Sequence, residues 1–490
     1  MAGRSFISAP FPWLLRAGPA PGGAADPSRS GATRPTPATR YVTKCFRQCN
    51  LPCSGERCRA WSPLARAWLM SWMSMGRKMG AAALLVALAA CADDSPLSPP
   101  VPEPEPAQPH ADAALFADAA RVAWSYAERE YHPQSGLTNS VIDYPYATVW
   151  DIASGLAAMY CAHEMGFIPT AEYDTRMRRA LLTLAETRIF EGVAFNKNYS
   201  TRTGAIAGRD DRDTQSSERG YGWSATDVGR LLVWLKIIAV NQPRHAADVR
   251  RVVARIRLGE IVRDGYLYGT DVDANGVTQR YQEGRLGYEQ YAARGFELWG
   301  FRAARALRLS ENTLPITVLG VPLVADRRGD DFLTSEPFVM AGLELGWNPE
   351  TAGLARRVLQ VQEERFRQTG QVTFVSEDHI PRAPFYFYYY AINFHGNAFT
   401  VGAQGVTTGL DEPRWISTKA AFAWHALLPG AYTRRGVDAV AAARDPARGW
   451  SSGVYERSGA PTGSENINTA AVLLESAVYS RTGRPLLYGE

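Results

Sequence analysis

The chain has 490 residues, of which 46% are hydrophobic, enough for one large core or for two to three ordinary domains. Its formal charge of +4 misleads: residues 1–90 hold twelve Lys/Arg against only Asp26 and Glu56, which leaves the remainder at −6. A net-acidic remainder excludes nucleic acid as an expected partner.

Residues 1–74 are rich in Arg, Ala and Pro without helical periodicity, and they precede a complete export signal. They read as an upstream extension from a start codon called too early. Their Cys45, Cys49, Cys53 and Cys58 fit no zinc spacing. Residues 75–90 carry Arg77 and Lys78, then an apolar run from Ala81 to Ala90 that ends just before Cys91. That pattern is a bacterial lipoprotein signal peptide, with Cys91 as the lipidated first residue. Ala92 follows Cys91 in place of a retention aspartate, so the outer membrane, facing the periplasm, is the expected location. The expected contact with the membrane is through that lipid only, since the apolar run is too short to span a bilayer. Residues 91–110 form a Pro-rich spacer. Beyond Cys91 the remaining cysteine is Cys161, so no intramolecular disulfide is expected and a monomer must be held by core burial.

Residues 111–490 read as one all-α domain. Amphipathic helices are predicted at 111–131, 170–188, 244–257, near 349 and near 434, each with one wet face. Helices apolar nearly all round are predicted at 147–162, 224–240, 416–428 and 467–479, with others near 287 and 336. The two kinds alternate as outer and inner layers, with one outer helix missing between 287 and 336 and expected within 298–308 or just after. Inner-to-outer connections are short, whereas outer-to-inner ones run to fifteen residues or more, beyond ordinary loop lengths. Six inner and six outer helices with long loops and small β-hairpins at one end describe an (α/α)6 toroid. A Ca²⁺ loop is rejected for "DVDANGVTQRYQ", whose twelfth position from Asp271 is Gln282; a hairpin turning at Ala274–Gly276 is expected.

The polar and aromatic clusters fall in those long loops or the first turns of inner helices. They include Tyr146, Trp150 and Asp151; Glu218, Trp223 and Asp227; Glu283, Arg285, Tyr288 and Glu289; Glu336; Glu377, Asp378 and His379; Tyr388; Lys419; and Asn466 with Asn468. In "VSEDHIPRAPFYFYYY", six consecutive aromatics from Phe385 cannot all hide on one face of a strand, so some must line something. Acids beside stacking rings suit carbohydrate: sugar C–H faces meet Trp and Tyr, and hydroxyls meet Asp, Asn and Arg. Glycosidic hydrolysis needs one protonated carboxyl and one carboxylate. Asp151 and Asp227 also suit simple first-turn acids. Neither a phosphate loop nor a paired-histidine motif occurs in the sequence, and no cofactor or metal is expected.

The stretches "SGLTNSV", "YPYATVWDIASGLAA", "RGYGWSATDVGRLLVWLK", "GRLGYEQYAARGFELWGF", "SEPFVMAGLELGW" and "ISTKAAFAWHAL" resemble a bacterial family of often exported domains of unknown function. More distantly, the order of motifs is similar to glucoamylase-like proteins that include endo-β-1,2-glucanases. That resemblance implies a glucan hydrolase or transglycosylase with Glu289 as general acid, although the glutamate stands one residue earlier than in those relatives. Glu283 and Glu218 are the substitutes. It further implies a base at Asp378, with Glu377 as the alternative; two carboxyls on opposite loops of one face fit an inverting hydrolase as the leading expectation. The competing readings are a non-catalytic glycan-binding lipoprotein and an accessory of polysaccharide assembly or export.

Overall fold

The computed structural model describes residues 110–208, 219–328, 332–392, 397–403, 406–410 and 412–488. Cys91, the expected signal peptide, the expected spacer up to residue 109 and Glu218 lie outside them. Among the described residues eleven helices have eight residues or more: α1 Ala113–Arg129, α2 Val149–Glu164, α3 Thr170–Glu186, α4 Ala225–Asn241, α5 Ala246–Val253, α6 Tyr288–Glu297, α7 Glu336–Glu344, α8 Pro349–Thr369, α9 Thr418–Leu427, α10 Ala431–Ala439 and α11 Ile467–Thr482.

Their sequences explain their layers. In α2, α4, α9 and α11 nearly every residue is buried, as chains apolar all round must be. α3 and α8 bury one stripe each, such as Tyr173, Met177, Leu181 and Leu184 in α3. The buried helices touch in the order α2, α4, α6, α7, α9, α11 and back to α2, a closed ring, while α1, α3, α5, α8 and α10 pack outside it. The fold is an (α/α)6 toroid.

One outer helix departs from expectation. Residues 298–308 form no helix, and the following segment is a single turn, Leu309–Asn312, leading into a β-hairpin. Gly300 with positive φ stops α6, and the β-branched "TLPITV" run favours strand over a three-turn helix.

α4 and α6 cross at two glycines. A Cβ on Gly295 would lie 2.1 Å from the Gly229 carbonyl oxygen, and one on Gly229 would lie 2.5 Å from the Ala292 Cβ. The ring closes there only because neither residue has a side chain.

The long connections at the N-terminal ends of the inner helices carry the small sheets. β1 Tyr146–Thr148 pairs with β2 Asn198–Ser200, and β3 Tyr266–Val272 pairs with β4 Thr278–Gln282. The latter turn closes as expected, with Asp273 Oδ1 accepting from the Asn275 and Val277 amides. β5 Thr313–Val318 and β6 Val321–Asp326 make the hairpin that stands where an outer helix was expected. β7 Glu377–His379, β8 Tyr386–Ile392, β9 Ala398–Ala403 and β10 Val406–Leu410 form a four-stranded antiparallel sheet. Its β8 resolves the aromatic run by alternation: Phe387 and Tyr389 enter the main core, while Tyr388 and Tyr390 join Phe332, with Tyr386 packed alongside, in a separate cluster.

At the other pole the C-terminal ends of α9 and α11 receive the start of the described chain. The His110 amide donates to Ser480 O at 2.8 Å, and its imidazole Nε2 meets His425 O at 3.0 Å.

Candidate functional site

All six inner helices begin at the same end, and their caps set the first side chains. Thr148 caps α2 by accepting from the Asp151 amide, while Asp151 Oδ2 accepts from the Thr148 amide at 2.9 Å, a reciprocal box. Asn468 on α11 donates to Asp151 Oδ1 at 2.8 Å, tying the two helix starts together. Burial pushes the Asp151 carboxyl above its usual range. Asn466 caps α11 by accepting from the Thr469 amide and donates to Ser452 Oγ at 2.8 Å, which makes it a structural cap.

The centre of this end is a buried charge cluster. Lys419 Nζ in the first turn of α9 donates to Glu336 Oε1 at 2.9 Å and to Glu377 O at 2.6 Å, and lies 3.4 Å from Asp378 Oδ1. Glu336 also accepts from the Tyr288 hydroxyl at 2.9 Å. Arg285 holds both oxygens of Glu377, at 2.7 and 3.4 Å. Trp415 Nε1 donates to Asp378 Oδ2 at 2.9 Å. Burial raises Glu377 to about 7 against the pull of Arg285, with Glu336 adding to the rise. Burial likewise raises Asp378 to about 6 against Lys419.

Glu289 is fully buried in the first turn of α6. Its cation is Arg328 at 2.7 Å, because the hairpin β5–β6 delivers Arg328 across the helix start. Arg328 is held in turn by Asp326, and Gln282 Nε2 donates to Glu289 Oε1 at 2.7 Å. Burial raises Glu289 to about 7 despite the guanidinium.

A second carboxyl pair stands at the start of α4, where Ser224, Asp227 and Glu283 are all partly exposed. Ser224 Oγ lies 2.7 Å from Asp227 Oδ1 and 2.7 Å from Glu283 Oε1. Glu283 also accepts from the Ala225 amide. Burial and then the Glu283 charge raise Asp227 to about 7.

The aromatic residues divide. Trp150 and Tyr288 meet at 5.7 Å, and Arg285 lies over Tyr288 at 4.6 Å and over Tyr388 at 5.9 Å, so these rings surround the charge cluster. Below Trp150 the Arg230 guanidinium lies 5.0 Å from its ring, held by Glu344 at 2.8 Å in the ring's interior. Tyr146 is half-buried beside Tyr144 on β1. Trp223, expected to face the groove, is instead core: it is 0% exposed, its Nε1 donates to Tyr268 O at 2.9 Å, and strand β3 covers it. His379 Nδ1 meets Ser464 Oγ, and burial lowers its imidazole to about 4.

The structure thus brings Glu377, Asp378, Lys419, Arg285, Tyr288, Tyr388 and Trp150 together, with Glu289 behind the hairpin and Asp227 with Glu283 on α4's side. Sequence reasoning missed Arg328 and Ser224 as partners of these acids. It placed Glu336 in a loop or first turn without giving it a role. Ser224 stands inside "WSATD", whereas no local pattern marks Arg328 as a partner of Glu289.

Among the described residues three potential metal ligands cluster, His110, Asp112 and His425, at the opposite pole beside a cavity of about 550 Å³. His110 Nδ1 accepts from the Asp112 amide, His425 bonds Thr433 and Asp112, and Arg434 donates to Asp112 at 3.0 Å. An ion there would displace those bonds and face a guanidinium, so the trio is a polar clip.

No curated protein matches the chain by sequence. A glucoamylase-like protein of Bacteroides caccae superposes with a TM-score of 0.57 at 15% identity, covering 76% of this chain and 94% of that one. The endo-β-1,2-glucanase of Chitinophaga pinensis, in complex with sophorotriose and glucose, gives 0.54 at 13% identity over 76% of this chain and 93% of that one. The endo-β-1,2-glucanase of Talaromyces funiculosus, in complex with sophorose, gives 0.54 at 9% over 76% and 85%. At such identities the likeness is one of fold. A family model described as "Protein of unknown function (DUF3131)" matches residues 118–483, from within α1 to the end of α11, and the chain belongs to that family.

Proposed function

We propose that the protein is a lipid-anchored, inverting glycoside hydrolase acting on a β-glucan, with Glu289 as proton donor and Asp378 as the base. One observation carries the reading: an (α/α)6 ring gathers carboxyls raised toward neutrality beside the neighbouring rings of Trp150 and Tyr288. Asp378 is favoured over Glu377 as base because Arg285 occupies both Glu377 oxygens, whereas Asp378 Oδ1 meets Lys419 only at the looser distance of 3.4 Å. A base needs a lone pair that a cation does not hold tightly if it is to orient water. The glucan class comes from the neighbours in complex with sophorose and sophorotriose. Attachment through Cys91 rests on the signal sequence.

A second reading, glycan binding without turnover, is favoured by one feature. Arg328 covers Glu289, so this donor reaches a substrate only when the β5–β6 hairpin shifts. Incubating the purified chain with defined β-1,2-, β-1,3-, β-1,4- and β-1,6-glucans and detecting new reducing ends decides between them. Products lost in both Glu289→Gln and Asp378→Asn establish the hydrolase; binding without products establishes the second reading.

A further inference from the structure

The groups that meet the Glu289 carboxyl are all donors. Gln282 Nε2 donates to Oε1 at 2.7 Å, Arg328 Nη1 lies 2.7 Å from Oε2, and the Leu267 amide gives a third hydrogen to the carboxyl. Neither a guanidinium nor an amide N–H accepts a hydrogen. A proton on Glu289 would leave a buried O–H without an acceptor, so the carboxyl is ionised as it stands. A general acid must start with its proton.

We infer that the structure holds Glu289 disarmed, and that an entering glycan which pushes Arg328 aside together with hairpin β5–β6 both uncovers this carboxyl and lets it take up from solvent the proton it later donates. Arg328 is then a positioning residue, and the hairpin is its lever. Swinging the guanidinium away alone would break a bidentate pair, because Asp326 on the same hairpin accepts from its Nε at 2.8 Å and from its Nη2 at 2.6 Å. The hairpin is suited to move: it is a two-stranded sheet on its own, of β5 only Thr313 and Val318 are buried, and Leu314 and Leu319 stand exposed. A Cβ on Gly284 would lie 2.5 Å from Arg328 Nη1 and 2.7 Å from Glu289 Oε2, so the guanidinium reaches the acid past a residue without a side chain. The other charges nearby are committed: Arg285 to Glu377, Glu336 to Lys419 and Glu283 to Ser224. Asp326 opposes Arg328 as an anion, and burial raises Glu289 to about 7. Loss of the one cation therefore tips the carboxyl to its neutral form at working pH. The gating rests on the glycosidase reading above; the hold of Arg328 on the proton does not.

Infrared difference spectra of the full chain test the hold, and calorimetry with a β-glucan oligosaccharide tests the gate. At pH 8 a protonated-carboxyl band that disappears with Glu289→Gln should be weak in the wild type and strong in Asp326→Asn/Arg328→Met, which removes the cation with its buried partner. Arg328→Gln, which keeps a donor without charge, should show the same gain. A Glu289 band equally strong, or equally absent, with and without Arg328 overturns the disarmed state. Glycan binding is then measured at pH 8 in buffers of different ionisation enthalpy, on Asp378→Asn to prevent turnover. Net proton uptake should accompany binding and vanish when Glu289→Gln is added. Binding without Glu289-dependent uptake overturns the gate. Absence of any glycan binding overturns the functional reading and the gate together, while the infrared result still judges the hold of Arg328.

Discussion

Lys419 donates to Glu336 across 2.9 Å at a point where both side chains are 2% exposed, so a fully desolvated ammonium joins α9 to α7. The same cation faces Asp378 and the Glu377 carbonyl. Replacing it by methionine leaves Glu336 buried without its cation. Lys419→Met should destabilise the protein by about 3–5 kcal/mol, the scale of an orphaned buried charge. Urea melts at pH 7 check this, and part of the loss should be recovered at pH 5, below the raised values of Asp378 and Glu377 that the same cation faces.

Stability should fall as pH rises through neutrality. Asp227, Glu289 and Glu377 stand at about 7 and Asp378 at about 6, all above their ordinary values. A carboxyl whose folded pKa is raised stabilises fully below its unfolded pKa and loses that contribution as pH climbs through the folded one. His379, lowered to about 4, works oppositely: its contribution is present above the ordinary imidazole value and is lost as pH falls toward 4. His245 and His425, also lowered by burial, act in the same direction as His379, and the four acids outweigh the three imidazoles. Denaturant midpoints should therefore decline from about pH 5 to pH 8, and a midpoint that rises across this window contradicts the assignment.

Gly295→Ala should destabilise although alanine is the better helix former. The propensity gain is about 1 kcal/mol. The added Cβ meets the Gly229 carbonyl at 2.1 Å, and backbone must move to relieve it. The net loss is expected at about 1–3 kcal/mol, read as a lower melting temperature.

The two tryptophans should separate in experiment. Trp223→Ala removes a ring from the core and should cost about 3–5 kcal/mol of stability, with unchanged glycan affinity in the folded protein. Trp150→Ala should weaken glycan binding by about 1 kcal/mol, a stacking loss. Calorimetry on folded samples gives both affinities.

The layered plan was legible because burial on all sides demands "ATVWDIASGLAAMYCA" and burial on one side demands a stripe, and those patterns differ in a single sequence. Caps such as Asn348 before Pro349 were legible for the same local reason. The hairpin that replaces an outer helix was not, since its strands bury against elements distant in sequence. Arg328 reaches Glu289 from the far end of that hairpin, and no local pattern announces a partner supplied by a long-range turn. Trp223 misled because a ring just after Gly220 and Gly222 in a loop looks available. Only the later strand β3, bonding through Thr270 and Tyr268, closes over it.

The clip at His110 fixes where the domain can be held. His110 bonds to the C-terminal ends of α9 and α11, while Lys419 and Asn468 stand at the beginnings of the same helices. A sixteen-residue helix spans about 24 Å, so grip and mouth are separated by the full depth of the ring. A bead or sensor surface coupled ahead of residue 110 would therefore take hold of the blind end, and long polymers could approach the loops without crossing the support.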